Sequence, residues 1–177
     1  MTLEIPDREI VVECDVGADW DSTADWEVLA RTATRAAHNI APELANPRLS
    51  VSIVFADDAE IRTLNREWRA KDKPTNVLSF PMLERAELLA LRPDGPPELL
   101  GDIALAYETC AREAEGKGIS LADHAAHLII HGLLHLAGHD HETSQADATA
   151  MEALEIKALA LMGLADPYGD ATELHED

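Results

Sequence analysis

The chain has 177 residues, 46% of them hydrophobic, and sets 14 Lys and Arg against 34 Asp and Glu for a formal charge of −20. That size and composition suit one globular domain over residues 1–177 and exclude bulk disorder, collagen-like repeats and a coiled-coil rod. A general nucleic-acid-coating protein is basic, so that role fails for the chain as a whole and only a local cationic patch remains open. Cys14 and Cys110 lie far apart with no CxxC pair, which fits a reducing compartment. The N-terminal stretch carries acids where a secretory leader carries bases, and no apolar run reaches the length of a membrane span. The expectation is a soluble cytoplasmic protein without membrane contact.

In chain order, EIVVEC at 9–14 reads as a first strand. Asp21 or Ser22 caps a helix to about Asn39, with Trp26, Leu29, Ala33 and Ala37 near helical spacing. Pro42 and Pro47 mark a turn, and LSVSIVF at 49–55 is a β-branched strand. Asp57 or Asp58 caps a helix to about Trp68 whose inner face carries Ile61, Leu64 and Trp68. NVLSFP at 76–81 is a strand stopped by Pro81. Residues 82–100 hold a short helical stretch and then RPDGPP, a loop. GDIALAY at 101–107 is a fourth strand, followed by a polar helix to about Lys117. Ser120 with Asp123 starts the next helix, which Gly138 ends. Ser144 with Asp147 starts the last one, which Gly163 closes. The tail 166–177 is acidic and expected to be loosely held. Four strands mixed with about five helices predict a single-domain α/β (α+β) layer structure. The order of the strands is not legible.

The chemistry concentrates in HAAHLIIHGLLHLAGHDHE, residues 124–142, which hold six of the eight histidines. His131 and His135 are four apart and project from one face of a helix, one above the other. Gly138 can take the left-handed conformation that ends a helix, after which the chain turns back to present His141 as a third ligand. Three neutral nitrogens with an open position describe a catalytic zinc site better than a structural one. His127 shares the His131 face, and His139 competes with His141 for the third place. Zinc proteases with H-E-x-x-H-x-x-G-x-x-H use the same spacing, but Gly132 stands where their general-base Glu belongs. Peptide hydrolysis therefore ranks below another hydrolysis. Asp140 can orient a ligand imidazole, act on a water, or simply stabilise the turn.

A second feature is the segment RTLNREWRAKDK at 62–73, with a local charge balance of +3. Arg62, Arg66, Arg69, Lys71 and Lys73 supply five of the 14 basic residues, whereas Lys157 is the sole one after residue 117. Arg offers a bidentate fork that suits a phosphate group. An acidic chain can thus still hold a phosphodiester locally.

Three segments together resemble the YbeY family of metal-dependent endoribonucleases, the rRNA maturation factors. They are LNREWRAKDKPTNVLSFP, LGDIAL and HGLLHLAGHDH, in matching order within about residues 49–164. Family members often have Asp where this chain has Asn76. The resemblance implies a zinc ion on His131, His135 and His141, and a role for Arg69 in activity. It implies cleavage of single-stranded RNA, maturation of the small-subunit rRNA 3′ end and ribosome quality control. In that frame Arg69 stabilises charge on the non-bridging oxygens, and Lys71 and Lys73 are candidate substrate contacts. Asp140 or the metal-activated water is the candidate base. Seven aromatic residues leave little for base stacking, so a partner is expected to help choose the site. The acidic body suits a basic ribosomal or ribosome-assembly protein. The competing readings are a zinc-dependent peptidase-like hydrolase and a non-catalytic ribosome-assembly factor with a structural metal.

Overall fold

The β-branched run at 49–55 becomes the second strand of one four-stranded sheet in the computed structural model, which describes residues 10–20, 24–139 and 144–168. The strands are β1 (Val11–Val16), β2 (Leu49–Ala56), β3 (Val77–Pro81) and β4 (Glu98–Ala106), in the order β1-β2-β4-β3. β1 with β2 and β2 with β4 are parallel, and β3 is an antiparallel edge strand. Parallel neighbours need long crossovers. α1 (Trp26–Ile40) supplies the first, and α2 (Asp58–Arg69), β3 and α3 (Arg85–Ala90) lie within the second. α4 (Tyr107–Lys117), α5 (Leu121–Leu136) and α6 (Gln145–Leu161) follow.

Alternation along the strands makes two unequal layers. Leu49, Val51, Ile53 and Phe55 of β2, with Ile103 and Leu105 of β4, are buried under α1 and α5. Alanines at 30, 33 and 37 in α1 keep that helix close to its neighbours. α6 packs on α1 and α5. The opposite face carries smaller side chains, Ala56, Ala104, Ala106 and Leu78, closed over by Ile61 of α2. α2 and α5 thus cover opposite faces of the sheet. Trp20 is buried among Trp26, Phe55 and Tyr107, edge-on to each, and its Nε1 donates to the Ala56 carbonyl at 2.8 Å.

Several expectations are revised in detail. The cap of α1 is Asp25, whose carboxylate accepts from the Val28 amide at 3.2 Å; Asp21 and Ser22 lie outside the described residues. β4 starts at Glu98, not 101, because the Glu98 amide donates to the Arg48 carbonyl at 2.7 Å and extends the pairing with β2. The helical stretch after residue 82 is α3, held by reciprocal bonds between Glu84 and Glu87, which brings the α-helices among the described residues to six. Trp68 does not face inward: it is 71% exposed. Ile61 and Leu64 pack into the small apolar cluster on this face of the sheet, and Trp68 has no place in it. Among the described residues no helix is long and apolar enough to cross a membrane.

Candidate metal centre and cationic segment

α5 is placed by its two ends and by one glycine. The Ser120 hydroxyl accepts from the Asp123 amide at 3.0 Å and opens the helix. At the other end Gly138 donates to the His135 carbonyl and His139 to the Leu134 carbonyl, both at 2.9 Å, with Gly138 at φ 97. This is the Schellman arrangement, which needs a residue tolerant of positive φ. A Cβ at Gly138 would also fall 2.6 Å from the Arg85 Cβ. Arg85 caps the same end, donating to the Ala137 carbonyl at 2.6 Å and to Glu43 at 3.0 Å. Midway, a Cβ on Gly132 would lie 3.0 Å from the Ile103 Cδ1. Position 132 therefore faces β4, and a Glu there would point into the sheet.

His124, His127, His131 and His135 recur at helical spacing along one stripe of α5. The rings of His131 and His135 have centroids 4.7 Å apart and planes at 74°. Beside them stands Glu155 of α6, 1% exposed. Its carboxylate receives the His131 Nδ1 at 2.5 Å, the His127 Nε2 at 2.9 Å and the Tyr168 hydroxyl at 2.5 Å. Burial pushes the Glu155 carboxyl up, but the hydrogen bonds from His127 and His131 outweigh it and hold it well below the usual range. Burial, with the Glu155 charge behind it, pushes the Tyr168 phenol up, so it stays a donor. Burial likewise lowers His127, keeping it neutral, with Nε2–H on Glu155. An ionised Glu155 only accepts, so the proton of a neutral His131 sits on Nδ1 and the ring's coordinating lone pair on Nε2. The tautomer follows from the hydrogen-bond network. Two imidazoles one helical turn apart, one backed by a carboxylate, suit a metal ion, although among the described residues no group of three metal-binding side chains comes together.

His124 and His139 are held by other carboxylates. His124 Nε2 meets Glu113 Oε1 at 2.8 Å, and the Asn76 amide donates to the same oxygen at 3.0 Å. Burial raises the Glu113 carboxyl, but these two donors bring it below its ordinary value. An Asp at position 76 could not make this bond to an ionised partner. His139 Nε2 meets Glu43 at 2.9 Å. His127 and His139, the alternative ligands, thus both turn Nε2 onto carboxylates. Asp140 and His141 lie outside the described residues. Glu155, Glu113 and Tyr168 are absent from the sequence reading. A signal for Glu155 was present: Met151, Glu155, Ala158 and Leu159 form one buried stripe of α6, and an acid has no ordinary place there. Of the tail expected to be loose from 166, residues 169–177 lie outside the described residues, while the Tyr168 ring lies edge-on to His127 at 5.5 Å.

The cationic segment divides in two. Asp72 takes Arg62 through two bonds, 2.8 and 3.2 Å, and Arg66 at 3.4 Å. Arg69 ends α2, Ala70 turns left-handed at φ 59, and Arg69, Lys71 and Lys73 are exposed. No ion pair engages these three among the described residues. The turn is held by Asn65, whose amide donates to the Lys73 carbonyl at 2.9 Å and whose carbonyl accepts from the Lys71 amide at 3.2 Å. Asn76, three residues on, ties the segment through Glu113 to the histidine helix.

These features define an α/β protein whose histidine-rich helix is set against a buried carboxylate, with a cationic turn leading into the edge strand. The chain belongs to the YbeY family: residues 18–163 match the family described as Endoribonuclease YbeY. It is 65% identical over 148 residues to the Endoribonuclease YbeY of Erythrobacter litoralis, covering 84% of this chain and 92% of that one. The protein of the same name from Novosphingobium aromaticivorans is 57% identical over 159 residues, 89% and 95% of the two chains. A solution structure from Thermotoga maritima shares the fold at a TM-score of 0.55 and 20% identity, covering 93% of this chain and all of that one.

Proposed function

We propose that this chain is a metal-dependent endoribonuclease, a single hydrolase domain over residues 1–177 that cleaves single-stranded RNA in rRNA maturation. The substrate we assign is the small-subunit rRNA 3′ end, cleaved in the cytoplasm, with a role in ribosome quality control. Ribosomal or ribosome-assembly proteins are its partners. Family membership supports the endoribonuclease activity. The observation that carries the metal assignment is the Glu155–His131 bond beside His135, a carboxylate orienting an imidazole as in many metal sites.

In this reading His131, His135 and His141 hold one zinc ion. The chemistry such an ion supplies is polarisation of a phosphoryl oxygen and activation of water at neutral pH. Glu155 fixes the His131 tautomer, and Tyr168 and His127 hold Glu155 in place. Arg69 donates to non-bridging phosphate oxygens, where charge develops in the transition state. Lys71 and Lys73 draw in the flanking phosphates. Asp140 is the candidate proton acceptor. A peptidase is disfavoured because Gly132 supplies no general base, and Ile103 lies too close to that position to seat a larger side chain without a shift.

The test pairs zinc-loaded protein with an identically prepared His135→Ala variant on a labelled single-stranded RNA. Cleavage by the parent alone supports the proposal. Equal traces from both, with four nitrogen ligands and no water by metal spectroscopy, favour a structural metal in an assembly factor.

A further inference from the structure

Of the three tryptophans, Trp20 and Trp26 are 3% and 4% exposed, whereas Trp68 is 71% exposed. An indole so placed gains little from the fold and presents a flat apolar face to solvent. It immediately precedes Arg69, and Lys71 and Lys73 follow on the same turn, all exposed. In a chain of formal charge −20 this is where positive charge collects. Asp72 occupies Arg62 and Arg66, which leaves the cations that follow the indole in sequence outside that ion-pair cluster. The backbone turn bearing them is fixed by the two Asn65 bonds.

An exposed aromatic face on the same turn as an Arg and two Lys matches one nucleotide of a single strand: a base to stack and phosphates on either side. Base–aromatic stacking is open only to an unstacked base, since a duplex keeps its π-faces paired with neighbouring bases. We propose that Trp68 is a base-stacking residue for single-stranded RNA, holding the base of the nucleotide whose phosphate meets Arg69. This deepens the endoribonuclease reading and rests on it. Stacking supplies a preference for unpaired RNA without base-edge contacts, because every base offers a π-face. It thus gives strand-type selectivity with weak sequence preference. The acidic remainder of the surface confines attraction to this turn and disfavours long tracts of nucleic acid.

The experiment uses the full-length, zinc-loaded protein and stopped-flow tryptophan fluorescence read before turnover. The titrants are a short single-stranded RNA and a duplex of the same length. Trp68→Phe supplies the background from the buried Trp20 and Trp26. The expected result is quenching by the single strand that the duplex does not produce and that is lost in Trp68→Phe. Trp68→Ala should weaken single-strand binding by about 5- to 100-fold, with Trp68→Phe recovering most of it. Melting temperature and metal content should not move in either variant, because the side chain is exposed. RNA that binds and is cleaved with unmoved fluorescence, and with Trp68→Ala within two-fold of the parent, overturns the stacking role and leaves the endoribonuclease reading standing. RNA that is neither bound nor cleaved by the parent overturns both.

Discussion

Replacing Glu155 by Gln isolates what the buried carboxylate does for the histidine pair. Glu155 accepts three donors and offers none: His131 Nδ1, His127 Nε2 and the Tyr168 hydroxyl. Gln has the same shape but only one accepting oxygen, and its amide nitrogen donates. His127 and Tyr168 share Oε1 and His131 takes Oε2, so the amide oxygen is best placed at Oε1 and the NH2 against His131. Two donors then face each other unless His131 moves its proton from Nδ1 to Nε2. That move removes the coordinating lone pair. Loss of a carboxylate behind a ligand imidazole costs about 10- to 100-fold in metal affinity, or about 1.4 to 2.8 kcal/mol. The metal-free variant also loses charge-assisted bonds in a buried place, each worth about 1.5 to 3 kcal/mol. Chelator competition well below the melting temperature separates the two effects, with circular dichroism confirming that the variant is folded. A folded Glu155→Gln protein that binds zinc within two-fold of the parent would refute the tautomer argument.

Three further outcomes follow from the same contacts. Gly132→Glu should cost more than about 3 kcal/mol in urea unfolding, because a carboxylate would be driven against Ile103; a stable variant that hydrolyses peptides would contradict this packing. Tyr168→Phe removes one charge-assisted donor from Glu155 and should lower stability by about 1.5 to 3 kcal/mol, checked by thermal melting. Glu113 has a folded carboxyl below its ordinary value of 4.5, so it stabilises the fold above that pH and the contribution is lost as pH falls through the lowered value. The melting-temperature gap between parent and Glu113→Gln should therefore be open at about pH 7 and close as the pH falls below 4.5 through the lowered value; a gap that widens on acidification would reverse the assigned sign.

Local chemistry explains which parts were legible. Ser120 and Ser144 each accept from an amide three residues on, as their patterns predict, because a cap is a contact within one turn. The i, i+4 spacing of His131 and His135 is helix geometry and needs no tertiary information. The strand order depends on how crossovers pack over two faces, which no short pattern encodes. Glu155 was missed because its partners lie 24 and 28 residues away on another helix. Trp68 was misplaced for the opposite reason. Its spacing from Ile61 and Leu64 is that of an inner face, but periodicity says nothing about where the sheet ends beneath a helix.

The most direct test of a metal-centred ribonuclease is to strip the protein of metal, confirm that it remains folded, and return zinc stepwise while following cleavage of a labelled single-stranded RNA. The account predicts no cleavage without metal, recovery that saturates at one zinc per chain, and no recovery in His131→Ala or His135→Ala. Cleavage by the stripped protein at the rate of the loaded one, or full recovery in either histidine variant, would contradict it.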